Sequence, residues 1–252
     1  MNKLFKYIAL SIFITAGCAE LTQIVQTIEG DRPLTQTEVA NGLREALKIG
    51  TDSAASGLSR MNGYYGDELV KILLPPEAAV ITDNLNRIPG GEKLLEDVIL
   101  RINRSAEHAA KEATPIFVNA VTKMTIQDAF TVLRDGDNAA TQYLRNHTYN
   151  ELFKLYQPKI ESSLNQNLVT GISTNDSWQN LTGQWNRLAG SLAGQIAGFN
   201  TVEIELDEYL THQALDGLFL KLAEEEAKIR TNPAARVTAL LERVFGSSEA
   251  QR

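Results

Sequence analysis

The chain has 252 residues, with 24 lysines and arginines against 31 aspartates and glutamates, a formal net charge of −7. This balance repels phosphate backbones, and no basic stripe with interleaved aromatics offsets it, so nucleic acid is excluded as a partner. A single cysteine, Cys18, rules out disulfides and any cysteine-based zinc site.

Cys18 follows Lys3, Lys6, an apolar run from Tyr7 to Ile14, and the small residues Thr15, Ala16 and Gly17. The run is too short for a spanning helix, which needs about 20 residues, and reads as the core of a signal peptide. Thr15-Ala16-Gly17-Cys18 resembles the lipobox of bacterial lipoproteins, in which the cysteine thiol receives diacylglycerol and the new terminus a further acyl chain such as palmitate. Thr15 departs from the usual aliphatic residue, and ordinary cleavage leaving a free thiol is the competing reading. Each buried methylene adds about 0.8 kcal/mol, so two or three chains would anchor the protein permanently in the lipid bilayer. By resemblance to Gram-negative sorting signals, Ala19 in place of aspartate points to the outer membrane, facing the periplasm. Loss of residues 1–17 would remove Lys3 and Lys6 and no acid, taking the formal charge to about −9.

Residues 18–33 form the expected lipidated tether. Leu21, Ile24, Val25 and Ile28 make one apolar stripe, suited either to the headgroup region or to packing on the domain, before Gly30, Asp31 and Pro33 break it. Residues 34–246 are expected to be one mainly α, multi-helix domain, and 247–252 a frayed tail.

Thr35 and Glu38 form a capping box, and Val39, Leu43, Leu47, Ala54 and Leu58 carry a helix to about Arg60. Leu69 to Leu74 reads as extended because Pro75-Pro76 restricts what precedes it. Val80, Ile81, Leu85 and Ile88 predict a helix stopped at Pro89-Gly90-Gly91, and a longer one runs from Glu92 to about Ala113. Thr114-Pro115 reads as cap and first residue of the next helix, Thr125 caps another with Asp128, and Asp135-Gly136-Asp137 turns the chain. Asp137 or Asn138 would cap a short helix, and Thr148 with Glu151 a second box. Trp178, Leu181, Trp185, Leu188 and Leu192 define a helical seam, overlapped by Gly190, Gly194 and Gly198. This glycine repeat suits close approach to a neighbouring helix, or else a membrane-active or self-associating surface. Residues 202–206 alternate with strand period, and their expected partner in a small two-stranded pairing is the segment 69–74. Asp207 would cap a long helix and Asn232-Pro233 a last one.

Several words in this succession resemble the bacterial family called domain of unknown function 4197: Met124-Thr125-Ile126-Gln127-Asp128-Ala129, Gly136 with Ala139-Ala140-Thr141-Gln142-Tyr143, Ala214-Leu215-Asp216-Gly217-Leu218-Phe219, Glu225-Glu226 through Arg230, Asn232-Pro233-Ala234-Ala235-Arg236, and Val244-Phe245-Gly246. Leu34-Thr35 through Leu47 also fits. The likeness covers about residues 34–164 and 200–246, with 165–200 departing from it. It implies a helical fold and an envelope location, and no reaction.

Chemical motifs are sparse. His108, His147 and His212 lie in separate segments, and neither a nucleophile elbow nor a phosphate loop is present. Asp135-Gly136-Asp137-Asn138 starts like a calcium loop, but Ala140 and Asn146 stand where that loop needs glycine and glutamate, so it reads as a helix stop followed by a cap. No metal or cofactor is implied. The remaining candidate is the charged cluster Asp216, Glu226, Arg230 and Arg236. Glu226 and Arg230 meet on one helix face and Arg236 follows the next turn, giving either a polar network that sets a helix junction or an anion site. These observations favour a non-catalytic binding or envelope-assembly module. The alternatives are a carrier of an apolar ligand and a hydrolase using carboxylates such as Asp216 and Glu225.

Overall fold

A computed structural model describes residues 33–169 and 171–247, and these described residues form ten α-helices and no strand. The signal segment, Cys18, most of the tether and all but the first residue of the tail lie outside the described residues.

Helix α1 (Gln36–Leu58) starts at the anticipated box: the Glu38 amide donates to Thr35 Oγ1 at 3.2 Å and the Thr35 amide to Glu38 Oε2 at 2.9 Å. Its face of Val39, Leu43, Ala46, Leu47, Ala54 and Leu58 is buried. Gly42 lets the last helix close on it, since a Cβ there would lie 2.6 Å from Val244 Cγ2. The helix predicted around Val80 is instead broken into a 3-10 turn (Pro76–Ala78), α2 (Ala79–Thr82) and a second turn (Leu85–Arg87). The Asn84 side chain takes the Val80 carbonyl at 3.0 Å, the local competition that makes asparagine a poor helix interior.

Helices α3 (Gly91–Ala110) and α4 (Ala113–Lys123) are separated by two residues. Helix α4 resumes before Thr114, so that residue is not its cap, and Pro115 falls in the first turn, where its missing N–H is not needed. Helix α5 (Ile126–Arg134) has the Thr125–Asp128 box. Helix α6 (Ala139–Asn165) replaces the two short helices expected there. The Thr148–Glu151 box does not form: Thr148 is buried and its hydroxyl donates to the Leu144 carbonyl at 2.5 Å. Leu144, Thr148, Leu152, Tyr156 and Ile160 make one continuous buried stripe, and packing along it carries the helix past Pro158, which faces solvent.

Helix α7 (Thr174–Ala189) starts at a Ser173–Asp176 box. Trp178, Leu181 and Trp185 are buried, whereas Leu192 lies exposed on the next helix, α8 (Leu192–Ile196). The glycine repeat does not face a neighbouring helix. Gly190 ends α7, a Cβ on Gly194 would strike the Leu188 and Ala189 carbonyls, and Gly198 has φ +74°, so these glycines shape the turn into and out of α8. Helix α9 (Leu206–Thr231) begins one residue before Asp207, whose carboxylate accepts from Gln157 Nε2 at 2.8 Å instead of capping. Asn232 caps only a 3-10 turn (Pro233–Ala235), and the last helix, α10 (Ala239–Phe245), has Thr238 as its cap. Helix α9 runs through the middle, packed on α6, α1, α3 and α10, while α7 packs on α3 and α6.

The predicted pairing of 69–74 with 202–206 is absent, for a specific reason. The Ile72 amide donates to Asn103 Oδ1 at 2.9 Å and the Ile72 carbonyl accepts from Asn103 Nδ2 at 2.8 Å. Asn186 brackets Val202 in the same way, at 2.8 and 3.0 Å. Trp178 and Trp185 donate to the Ile204 and Asn200 carbonyls. Side chains on α3 and α7 thus supply the bonds that a second strand would have supplied, and Leu206 is already helical.

Two measurements probe this packing. Trp185 is fully buried with its ring 5.0 Å from that of Phe199; Trp185→Ala should lower unfolding free energy by about 3–5 kcal/mol in urea titration. Asp97 accepts from Arg101 at 2.7 Å and from Ser177 at 2.7 Å, joining α3 to α7. Burial alone would raise its carboxyl, but these bonds outweigh that and hold it below the ordinary aspartate range. A lowered folded pKa contributes stability above the unfolded value, about 3.9, that is lost as pH falls through the folded value. Acid titration followed by tryptophan emission should therefore show α7 loosening below about pH 4, and Asp97→Asn should remove that part of the acid dependence.

Candidate functional site

The structure brings Glu226, Arg230 and Arg236 together at the junction of α5, α6 and α9, and puts Asp216 elsewhere. The chain between α5 and α6 reverses through Asp135, Gly136 at φ +85° and Asn138 at φ +65°. Asn138 in this left-handed conformation makes no side-chain bond to the helix it precedes. The cap comes from another helix. Glu226 Oε1 accepts from the Ala140 amide at 3.0 Å, and Oε2 accepts from the Thr141 amide and hydroxyl, both at 2.8 Å. A carboxylate so placed meets the positive end of the α6 dipole as well as its free N–H groups.

Arg230 completes the junction. Its Nε and Nη2 reach Glu226 Oε1 at 2.9 and 2.8 Å. Nη2 and Nη1 also donate to the carbonyls of Val132 and Leu133, at 3.0 and 3.3 Å, in the last turn of α5. One ion pair on α9 thereby caps the negative end of α5 and the positive end of α6. Both side chains are less than a tenth exposed. Arg236 donates to the carbonyls of Ile229 and Arg230 at 3.0 and 2.8 Å, closing the C-terminal end of α9 itself. The pocket between this cluster and Leu43, Leu47, Leu222 and Phe245 has a volume of about 10 Å³, room for about one water.

Asp216 faces Arg145 of α6, whose guanidinium lies 5.2 Å from the rings of both Tyr149 and Phe219. Asp216 lines a groove of about 140 Å³ with Leu69, Lys71 and Gln213. Glu225 is held by Lys228 at 2.6 Å and opens on a different groove, of about 240 Å³, beside Asp67, Lys221 and Glu224. Asp67 titrates below the ordinary range because Lys221 and the Leu69 amide donate to it. The two carboxylates singled out for acid and base work thus do not share a cleft. The histidines are likewise apart: His108 bonds Ser163, His147 stacks on Tyr143, and His212 Nδ1 lies 2.7 Å from the Tyr149 hydroxyl. No group of three or more metal-ligating side chains occurs among the described residues.

Sequence reasoning missed Glu107, buried on α3, whose carboxylate accepts from the Tyr64 and Tyr65 amides. It also missed Asn103 and Asn186. An acid or amide on the buried face of a helical pattern was the available signal in each case.

Fold and cluster together define an all-α domain whose charged junction is built from helix ends. A family model described as protein of unknown function (DUF4197) matches residues 33–246, and the chain belongs to that family. The match runs through residues 165–200, which the sequence reading had set apart. Comparison with curated proteins and with solved structures gave no match.

Arg230→Ala should leave the buried Glu226 charge without its cation and lower stability by about 3–5 kcal/mol in urea titration. Combined with Glu226→Gln, the loss should be smaller than the sum of the single changes, since each removes a part of one network. Additive losses would show that the two residues act separately.

Proposed function

We propose that the chain is a lipoprotein of the bacterial envelope, anchored through acylated Cys18 to the periplasmic face of the outer membrane, whose helical domain works by docking and not by chemistry. The observation that carries the docking reading is the engagement of the Glu226–Arg230 pair. Both carboxylate oxygens and all three guanidinium nitrogens are bonded to protein groups, four of them backbone groups of α5 and α6. A site for anion capture or proton transfer needs groups directed at a substrate, and these are directed at helix ends. The pocket beneath them, at about 10 Å³, is too small for an acyl chain. The address rests on the order of charge, apolar run and small residues before Cys18.

Metabolic labelling with an alkyne fatty acid tests the anchor. The wild-type chain should take up label and fractionate with membranes, and Cys18→Ser should lose both. Equal labelling of the two would overturn the lipoprotein reading.

A further inference from the structure

Helix α8 packs on α7 and turns Leu192 and Ile196, one helical turn apart, outward. They are 76% and 80% exposed, and among the described residues only Met61 is an exposed large apolar side chain that matches them. Ala193 and Ala197 beside them are exposed as well. The turn is held in shape from within: Ser191 caps α8 through the Gly194 amide, the Phe199 amide bonds the Gly194 carbonyl at 3.0 Å, and the Phe199 ring lies tilted at 45° against Trp185.

The charges around this corner differ from those of the chain as a whole. Between Asp176 and Glu203 there is no acidic residue and one basic residue, Arg187, in a chain with 31 acids. Arg187 is exposed, and the exposed Arg87 reaches across from the loop before α3, its guanidinium 5.3 Å from the centre of the Phe199 ring.

We propose that this corner, Leu192 and Ile196 flanked by Arg187 and Arg87, is a membrane-contact tip that enters the surface of an anionic lipid bilayer. Apolar side chains that insert, flanked by guanidinium groups that stay with phosphate, suit the bilayer interface. The area argues against a protein partner. Two side chains and their alanine neighbours fall well short of the roughly 800 Å² that each side of a stable protein interface buries. A membrane needs no such area once the domain is tethered, because the tether holds the tip at high local concentration. The chain from Cys18 to Pro33 can span up to about 50 Å when fully extended. The inference extends the membrane-tethered reading to the domain itself, and its test is run without the acylated cysteine so that the two fail separately.

Cys18 is the only cysteine, so the full chain carrying Cys18→Ser and Ala193→Cys can be labelled at one place with the environment-sensitive fluorophore NBD. The apolar run at 7–14 is present in every variant, so the readout is the local polarity at the label and not bulk binding. On vesicles of phosphatidylethanolamine and phosphatidylglycerol that also carry a nickel-chelating lipid and hold the chain by an N-terminal hexahistidine tag in place of the acyl anchor, the label at Ala193→Cys should shift to the blue, while a label at Ser56→Cys on exposed α1 should not. Adding Leu192→Glu with Ile196→Glu should abolish the shift while tryptophan emission shows the core intact. Arg187→Gln should weaken it on these vesicles and leave it unchanged on phosphatidylcholine alone. A label at Ala193→Cys that stays in water on vesicles would overturn the proposal. So would a shift that follows protein concentration without lipid, which would make the corner a contact between copies of the chain.

Discussion

The architecture turns on one buried ion pair that closes two helix ends at once. Helices α5 and α6 meet at a four-residue reversal whose left-handed positions, Gly136 and Asn138, leave the first amides of α6 without a local cap. Glu226 accepts those amides while Arg230, one turn further along α9, takes the final carbonyls of α5. Burying two charges is costly unless every lone pair and N–H is matched. Here helix dipoles of the correct sign and four backbone groups match them, so the pair sets the angle at which α5 and α6 leave α9. Arg236 then turns the chain back so that α10 can lie against α1 at Gly42.

A second device recurs where the backbone is extended. Asn103 on α3 and Asn186 on α7 each offer an amide that both donates and accepts, and each holds one residue of a non-helical segment by its N–H and C=O. Glu107 does related work for the amides of Tyr64 and Tyr65. Buried backbone outside helices has to find partners somewhere, and in this all-helical frame side chains on neighbouring helices are the available source. The tryptophans of α7 combine the same role with packing, since each indole N–H ends on a carbonyl of the 200–204 segment.

Charge is unevenly spread over this frame. Pairs such as Lys221 with Asp67 and Glu224, or Lys228 with Glu225, lie along α9 and the loop after α1. The α7–α8 segment between Asp176 and Glu203 carries one arginine, exposed apolar side chains and no acid. Surface ion pairs of the first kind contribute little to stability. Their effect is to keep most of the surface hydrated and acidic, which leaves the corner as a place of different chemistry.

What the sequence determined by itself is the set of local signals: the boxes at Thr35–Glu38 and Thr125–Asp128, the stop at Asp135–Gly136, the buried tryptophans, the i,i+4 relation of Glu226 and Arg230, and the family. Each depends on residues within a few positions of one another, where spacing alone fixes which groups meet. Tertiary structure decided the rest. Thr148–Glu151 has the letters of a capping box, but burial along Leu144, Leu152 and Tyr156 favours an unbroken α6 over a local cap. Segment 202–206 has a strand period, but Asn186 and two indoles reach its backbone first. Glu226 and Arg230 could be paired from sequence, yet their other partners lie 85 to 98 residues away, at Thr141, Ala140, Leu133 and Val132. Asp216 shares their helix but faces Arg145 on α6 instead. Sequence spacing says which side chains share a helix face, and only the packing of helices says which backbone ends that face will meet.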